Sequence, residues 1–252
     1  MTDEMGRGGL DGPSFYDDDG VFSTYMRQRA RDENPNDTLE KPDLLDLIGE
    51  VDGLRILDLG CGNAAIGQEL LAAGAGSYLG IEASKNMLGE GRKTLAGTTG
   101  QVAAATIEAW EYPPAAFDLV ISRLALHYVE DVDSTFRQVI RTLAPGGRVV
   151  VSVEHPVLTS CDRGLAPGAK RQDWIVDDYH VSGRRVTQWM GQDVVKYHRT
   201  VEEYVGGLLR AGFLIEGLRE GRPRREHFLR EETYRRRLRI PMMLLLAGRK
   251  PA

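Results

Sequence analysis

The sequence predicts a doubly wound α/β fold on a mostly parallel sheet. Three observations point to it. Short apolar runs without period-2 alternation recur along the chain, helical patterns separate them, and a glycine turn joins the first run to its helix. Runs that are apolar on both faces belong to strands covered on both sides, as in parallel sheets. Strands alternating with helices then build an open sheet wound in two directions.

The elements follow in order. Residues 1–14 are rich in glycine and aspartate without periodicity and are expected to be a disordered tail, leaving 15–252 as a single domain. Residues 15–50 are expected to form a helical cap, with a helix over 37–49 started by Asp37 or Thr38. Strand 55–59 leads to helix 64–73, and strand 77–82 leads to helix 84–96 with Ser84 as N-cap. A weaker strand covers 101–106, and strand 117–122 precedes helix 133–143 with Asp133 as cap. The turn Pro145-Gly146-Gly147 opens strand 148–153. Residues 155–198 break the alternation and read as a lid or substrate-binding insertion, too long for a connector. Helix 200–211, strand 213–219 and a terminal strand over 240–247 complete the domain, with Pro241 placing the last strand at an edge or at a strand start.

Bulk properties narrow the function classes. No apolar run is long enough to span a membrane, and the acidic, glycine-rich N-terminus lacks a signal-peptide core. Cys61 and Cys161 do not make a disulfide framework, so reduced thiols in a cytoplasm are expected. A net charge of −5 argues against a general nucleic-acid binder. Nine arginines crowd residues 219–239 against that average. They read either as a solvated face paired with Glu220, Glu226, Glu231 and Glu232, or as a surface for an anionic partner or a second subunit. With the terminal Met-Leu strand, the second reading allows a homo-oligomer.

The chemistry starts at Arg55-Ile-Leu-Asp-Leu-Gly-Cys-Gly62. Gly60 and Gly62 let backbone approach a nucleotide-like ligand closely. Gly60 to Ala65 also fits the dinucleotide fingerprint, so a nicotinamide-dependent oxidoreductase is an alternative. Asp58 weighs against it, because a carboxylate disfavours a passing pyrophosphate and favours an ammonium. Glu82 ends the second strand 24 positions after Asp58, where a carboxylate accepts from both hydroxyls of a ribose.

The stretch 55–62, the strand ending in Glu82, FDLVISRLALHYVED at 117–131 and LAPGGRVVVSVEHP at 143–156 together resemble the class I S-adenosylmethionine-dependent methyltransferases. The resemblance covers about residues 15–250. Its later part, DWIVDDYHVSGRRVTQWM…VVKYHRT at 173–200, is similar to the type-11 small-molecule subgroup, and residues 15–40 resemble N-methyltransferases of antibiotic pathways, including lincosamide ones. The resemblance implies a Rossmann-like sheet of seven strands with an antiparallel last strand. It implies S-adenosylmethionine as cofactor, leaving as S-adenosylhomocysteine. Asp58, Gly60, Cys61 and Gly62 would then approach the methionine part and Glu82 the ribose. Ala83, Ser84 and Met87 would line the adenine side, with Ile107 and Glu108 flanking it and Arg123 and Leu124 touching the methionine moiety. Two positions depart from the pattern: Ala64 stands where many members have a third glycine, and Thr106 where many have an acidic residue.

Methyl transfer from a sulfonium is an in-line displacement needing alignment and desolvation, with no metal or covalent nucleophile. An amine acceptor needs only its neutral form, whereas a hydroxyl needs a base such as His127 or His155, beside Glu154. Tyr16 and Tyr128, and from the lid Trp174, Tyr179, Trp189 and His198, are expected to contact the acceptor. Tyr25 and Arg29 are expected to close over the cofactor, Arg29 against its carboxylate. Each has a structural alternative: satisfying a turn at His127, fixing the Pro156 turn at Glu154 and His155, lid packing for the aromatics, a surface position for Arg29. Ser122-Arg-Leu-Ala125 lacks the Asn/Asp-Pro-Pro-aromatic motif of enzymes that methylate bases, and no appended RNA module is visible, so a small-molecule acceptor is favoured. The expectation is a secondary-metabolite amine. The alternatives are O-methylation, oxidoreduction, and a non-catalytic cofactor- or RNA-binding role.

Overall fold

The structure, a computed structural model, describes residues 8–161 and 173–252. Residues 1–7 of the expected tail and 162–172 of the expected lid lie outside the described ones. Ordered chain begins earlier than glycine content suggested. Leu10 bridges to Val194, and helix α1 (Gly12–Asp17) starts where Asp11 accepts from the Ser14 amide at 2.7 Å. An expected tail running to residue 14 is corrected accordingly. The reason is the capping aspartate and Pro13 in the first turn, where a missing N–H does no harm.

Asp18 caps α2 (Asp19–Arg29) in the same way. A π-helical turn, Asn36–Glu40, runs into α3 (Lys41–Ile48). Neither Asp37 nor Thr38 caps that helix: Asp37 pairs with Arg29 at 3.2 Å, and the Thr38 hydroxyl donates to the Asn34 carbonyl. The core alternation follows as β1 (Arg55–Leu59), α4 (Ala65–Ala72), β2 (Ser77–Glu82), α5 (Lys85–Thr94), β3 (Gln101–Ala104), β4 (Phe117–Arg123), α6 (Val132–Thr142) and β5 (Leu143–Glu154). Asp131, not Asp133, caps α6 by accepting from the Ser134 amide at 2.8 Å; Asp133 sits inside the first turn and pairs with Arg210 at 2.8 Å.

After the short α7 (Pro156–Thr159), the expected lid contains an antiparallel hairpin, β6 (Gly183–Trp189) and β7 (Gln192–His198). The chain closes with α8 (Val201–Ala211), β8 (Leu214–Arg219), α9 (Glu231–Arg237) and β9 (Met243–Arg249). A capping box between Thr200 and Glu203 starts α8, and Gly212 ends it in the left-handed region.

The seven-stranded sheet has the order β3-β2-β1-β4-β5-β9-β8. Its first five strands are parallel, and β9 runs antiparallel to both neighbours. The last strand is therefore interior, not an edge; Pro241 precedes its start, where no ladder hydrogen bond is needed. Successive residues feed opposite layers: Leu57 and Leu59 pack with α6 and α8 residues such as Phe136 and Leu208, while Ile56 packs with α3 and α4 residues such as Leu44 and Leu70. That is why these strands carry no period-2 pattern. Strand order reverses between β1 and β4, opening a crevice at their carboxyl ends.

The arginine segment is largely engaged by the protein itself. Arg224 reaches Asp43 and Asp46 at 2.6 Å each, Arg230 reaches Glu33 at 2.6 Å, and Arg225 and Arg235 share Glu231. Among the described residues, no helix is long and apolar enough to cross a membrane.

Candidate functional site

The turn after β1 is forced by close packing. Gly60 has φ +71°, and a Cβ there would lie 2.5 Å from the Ala125 Cβ, so no side chain is tolerated. The Gly60 and Cys61 amides both donate to the Ile81 carbonyl at 3.0 Å. Gly62 follows with φ +56°, and Ala64 takes φ +54°, the conformation a third glycine would adopt.

Glu82 ties this turn to the next one. Its Oε2 accepts from the Gly62 amide at 2.8 Å and its Oε1 from the Ser84 amide at 2.9 Å. Burial raises its carboxyl above the usual range, against those amide hydrogen bonds. Asp58 is fully buried at the end of β1. Its Oδ2 accepts from the Tyr78 hydroxyl at 2.7 Å, and its Oδ1 has no partner among the described residues. Burial pushes this carboxyl up to about 7, opposed by the Tyr78 hydrogen bond and the Arg123 charge.

These groups line a cavity of about 240 Å³ at the carboxyl ends of β1, β2 and β4. Of the expected cofactor residues, Asp58, Gly60, Cys61, Gly62, Glu82, Ala83, Met87, Ile107, Glu108, Arg123 and Leu124 line it, joined by Tyr25 and Arg29 from α2. Ser84 does not. It caps α5 by accepting from the Met87 amide, and its hydroxyl donates to Asp17 Oδ1 at 2.7 Å, pinning the N-terminal cap to the sheet. Arg29 donates to Asn34 at 2.5 Å besides pairing with Asp37, so its fork is already engaged from one side. Arg123 forms a buried pair with Glu40, whose Oε1 also accepts from the Ser152 hydroxyl at 2.8 Å.

The far end of the cavity is aromatic. Tyr16, Tyr25, Tyr128 and Trp189 line it, with ring centroids 5.1 Å apart for Tyr16–Tyr25 and 6.2 Å for both Tyr16–Trp189 and Tyr25–Trp189. Phe15 stacks behind Trp189 at 5.2 Å. Glu154 and His127 share this end. Glu154 is paired with Lys196 of β7 at 2.6 Å, and that ammonium lies 5.0 Å from the Trp189 ring centroid. The Lys196 charge, with His127 and the Lys196 hydrogen bond, outweighs burial and keeps the Glu154 carboxyl below its usual range. His127 is 2% exposed, and burial depresses it to about 4 despite the Glu154 charge. Its Nδ1 accepts from the Glu154 amide at 3.5 Å.

Four expected acceptor residues stand elsewhere. His155 caps α7, accepting from the Val157 amide, and its Nε2 meets Glu220 at 3.1 Å. His198 is buried between the Thr159 hydroxyl and the Tyr179 carbonyl, and the Tyr179 hydroxyl accepts from the Val201 amide. Trp174 lies under Arg239. For these four the packing alternative describes what the structure forms.

Comparison with known proteins agrees with this architecture. The family described as "Methyltransferase domain" matches residues 56–147, the stretch that carries the turn, Glu82 and β4. An uncharacterised protein of Haemophilus influenzae is 30% identical over 82% of this chain and 85% of its own length. A crystal structure of an S-adenosylmethionine-dependent methyltransferase from Mesorhizobium loti is 38% identical, covers 88% of this chain and 100% of that one, and superposes with a TM-score of 0.77. The chain belongs to the S-adenosylmethionine-dependent methyltransferases. A ubiquinone biosynthesis O-methyltransferase of Sinorhizobium medicae is a more distant relative, 27% identical over 64% of this chain and 62% of that protein.

S-adenosylmethionine is accordingly the methyltransferase's cofactor, and the residues present suit it. Asp58 Oδ1 is a buried acceptor with no partner among the described residues, free to meet a cationic amino group. Space beside Gly62 is open, with no atom within 4 Å of a Cβ built there. Glu82 accepts backbone amide hydrogen bonds on both oxygens, and a carboxylate has about four lone pairs, which leaves capacity for a hydroxyl. The sequence reading missed Glu40, Tyr78 and Lys196. No sequence pattern marks Lys196, which is buried with Val194 and His198 on one face of β7. Glu40 and Tyr78 act from outside any motif.

Proposed function

We propose that this methyltransferase transfers a methyl group to an amine nitrogen of a small secondary metabolite. The observation that carries the reading is the acceptor end of the cavity, aromatic on its walls, where the two candidate bases, His127 and Glu154, are both weak. His127 is depressed to about 4 by burial, and its Nδ1 is turned to a backbone amide. Glu154 is held ionised by Lys196. A hydroxyl acceptor would have to shed its proton to one of these, whereas a neutral amine brings its own lone pair. Aromatic faces also favour the cationic nitrogen that an N-methyl product becomes.

S-adenosylmethionine supplies an electrophilic methyl group on a sulfonium, with a neutral thioether as leaving group. The chain's part is to align and desolvate. In this reading Glu82 holds the ribose diol and Asp58 the ammonium. Ala83, Met87, Ile107 and Glu108 bound the adenine, while Leu124 and Arg123 border the methionine part. Tyr16, Tyr128 and Trp189 hold the acceptor against the methyl and exclude water. Leu124 supports a role in tight positioning by its φ of +52°, a strained conformation for a branched side chain.

The test is transfer of a radiolabelled methyl from S-adenosylmethionine to a panel of small amines and their matched alcohols. Amines should be methylated and alcohols not, and His127→Asn should keep kcat within about threefold. Methylation of the alcohols that disappears in His127→Asn would overturn the nitrogen assignment in favour of the O-methyl chemistry named for the ubiquinone-pathway relative.

A further inference from the structure

Asp58 has two oxygens in different circumstances. Oδ2 is taken by the Tyr78 hydroxyl at 2.7 Å, and Oδ1 is buried without a partner among the described residues. Tyr78 reaches it from the neighbouring strand. In the β1–β2 register Ile56 faces Tyr78 and Asp58 faces Gly80, so the tyrosine ring runs along β2 towards the carboxylate two residues on. The space for that ring is made by glycine. A Cβ at Gly67 of α4 would lie 2.3 Å from the ring's Cζ, and one at Gly80 would lie 3.2 Å from the hydroxyl. Tyr78 is 2% exposed and contacts the cavity nowhere, so its polar atom serves Asp58 rather than a ligand.

We propose that Tyr78 is a positioning residue of the cofactor site: its hydroxyl fixes the Asp58 carboxylate so that Oδ1 is presented to the cationic amino group of the cofactor. A carboxylate with one oxygen held cannot rotate to satisfy both oxygens elsewhere. The bond also favours the ionised form of the buried carboxyl, against burial. The charged and titratable groups around Asp58 are Arg123 from β4, Glu82 at the end of β2, Glu40 from the π-helical turn and Cys61 from the glycine turn. With Asp58 itself, three carboxyl groups face one guanidinium among these buried groups, an imbalance that a ligand ammonium reduces. The inference rests on S-adenosylmethionine occupying this cavity with its amino group at Asp58.

Tyr78→Phe keeps the ring and removes only the donor. Calorimetry would compare S-adenosylhomocysteine, which carries the amino-acid end, with 5′-methylthioadenosine, which lacks it. The variant should lose about tenfold in affinity for S-adenosylhomocysteine, the scale of a hydrogen bond to a charged group. Its affinity for 5′-methylthioadenosine should be unchanged. The pH midpoint below which S-adenosylhomocysteine binding weakens should move upward, because the lost hydrogen bond had favoured the charged form. In an Asp58→Asn background the Tyr78→Phe change should add nothing. Equal losses for both ligands, or an unchanged midpoint, would make Tyr78 a packing residue and overturn the proposal. Failure of the unmodified protein to bind either ligand would instead remove the cofactor placement on which it rests.

Discussion

Asp58 sets the terms at the scale of single residues, because it is a carboxyl group kept from water. Its folded value of about 7 lies above the ordinary aspartate range, so the folded state holds a proton that the unfolded chain releases near pH 4. Between those values the unfolded state binds fewer protons, and stability falls as pH rises. Asp58→Asn removes that slope. The variant should be the more stable protein at pH 8 by a few kcal/mol at most, about the size of the linkage, while binding S-adenosylhomocysteine more weakly. Thermal melts across pH 5 to 8 would check it; a variant melting lower at pH 8 would contradict it. Lys196 and Glu154 make a second case. Removing one partner, by Lys196→Met or Glu154→Gln, leaves a buried charge and should cost about 3–5 kcal/mol, whereas the double change should recover much of that loss. Denaturant unfolding of the three variants reads this directly, and additive losses would show that the ions do not couple. Motif residues such as Asp58, Gly60 and Glu82 were legible in the sequence because each solves a local problem at a strand end. Tyr78 was not, since its role depends on Gly67 of α4 and on Gly80 two residues further along β2 clearing space for its ring and hydroxyl.

The elements were legible where burial is two-sided and obscure where it is partial. The central residues of β1, β2, β4 and β5 are mostly apolar on both faces, because alternate residues enter different layers. The β6–β7 hairpin hides its pattern, since one face buries Val194, Lys196 and His198 and only the first of these is apolar. Helix starts shifted for a related reason. Asp131 and Asp133 are both acceptable caps by type, and the choice falls to Asp131 because Asp133 is needed by Arg210 of α8. Interlocking of elements gives a prediction at this scale. Gly67→Ala places a methyl inside the Tyr78 ring and should destabilise the protein by about 1–3 kcal/mol, the range for overpacking. Pairing it with Tyr78→Phe should not relieve the loss, because the collision is with the ring. Equal stability of Gly67→Ala and the unmodified protein in urea would show that α4 moves freely off β2.

At the scale of the whole molecule, the N-terminal cap and the hairpin form one roof over the crevice. The Leu10 amide donates to the Asp193 carbonyl at 2.9 Å and the Val195 amide to the Leu10 carbonyl at 2.8 Å. Phe15, Val21 and Val194 share a small core, packed against Trp189 and Tyr128. In the proposed reading the sheet supplies the cofactor's side of the cavity and the roof supplies the acceptor's side. That division explains why the methyl donor was legible and the acceptor was not. The donor site repeats a local pattern at consecutive strand ends, while the acceptor wall is assembled from residues 16, 25, 128, 154 and 189, which no spacing connects. Trp189→Ala should therefore lower acceptor turnover at least tenfold while leaving S-adenosylhomocysteine affinity within about threefold, measured by transfer assay and calorimetry. The central claim is that the cofactor sits at the strand ends with its ribose on Glu82. Titration of S-adenosylhomocysteine into the unmodified protein and into Glu82→Ala, with a thermal melt to confirm folding, tests it most directly. Micromolar binding to the unmodified protein that the folded variant loses is the expected result; a folded variant that binds as tightly as the unmodified protein would place the ribose elsewhere.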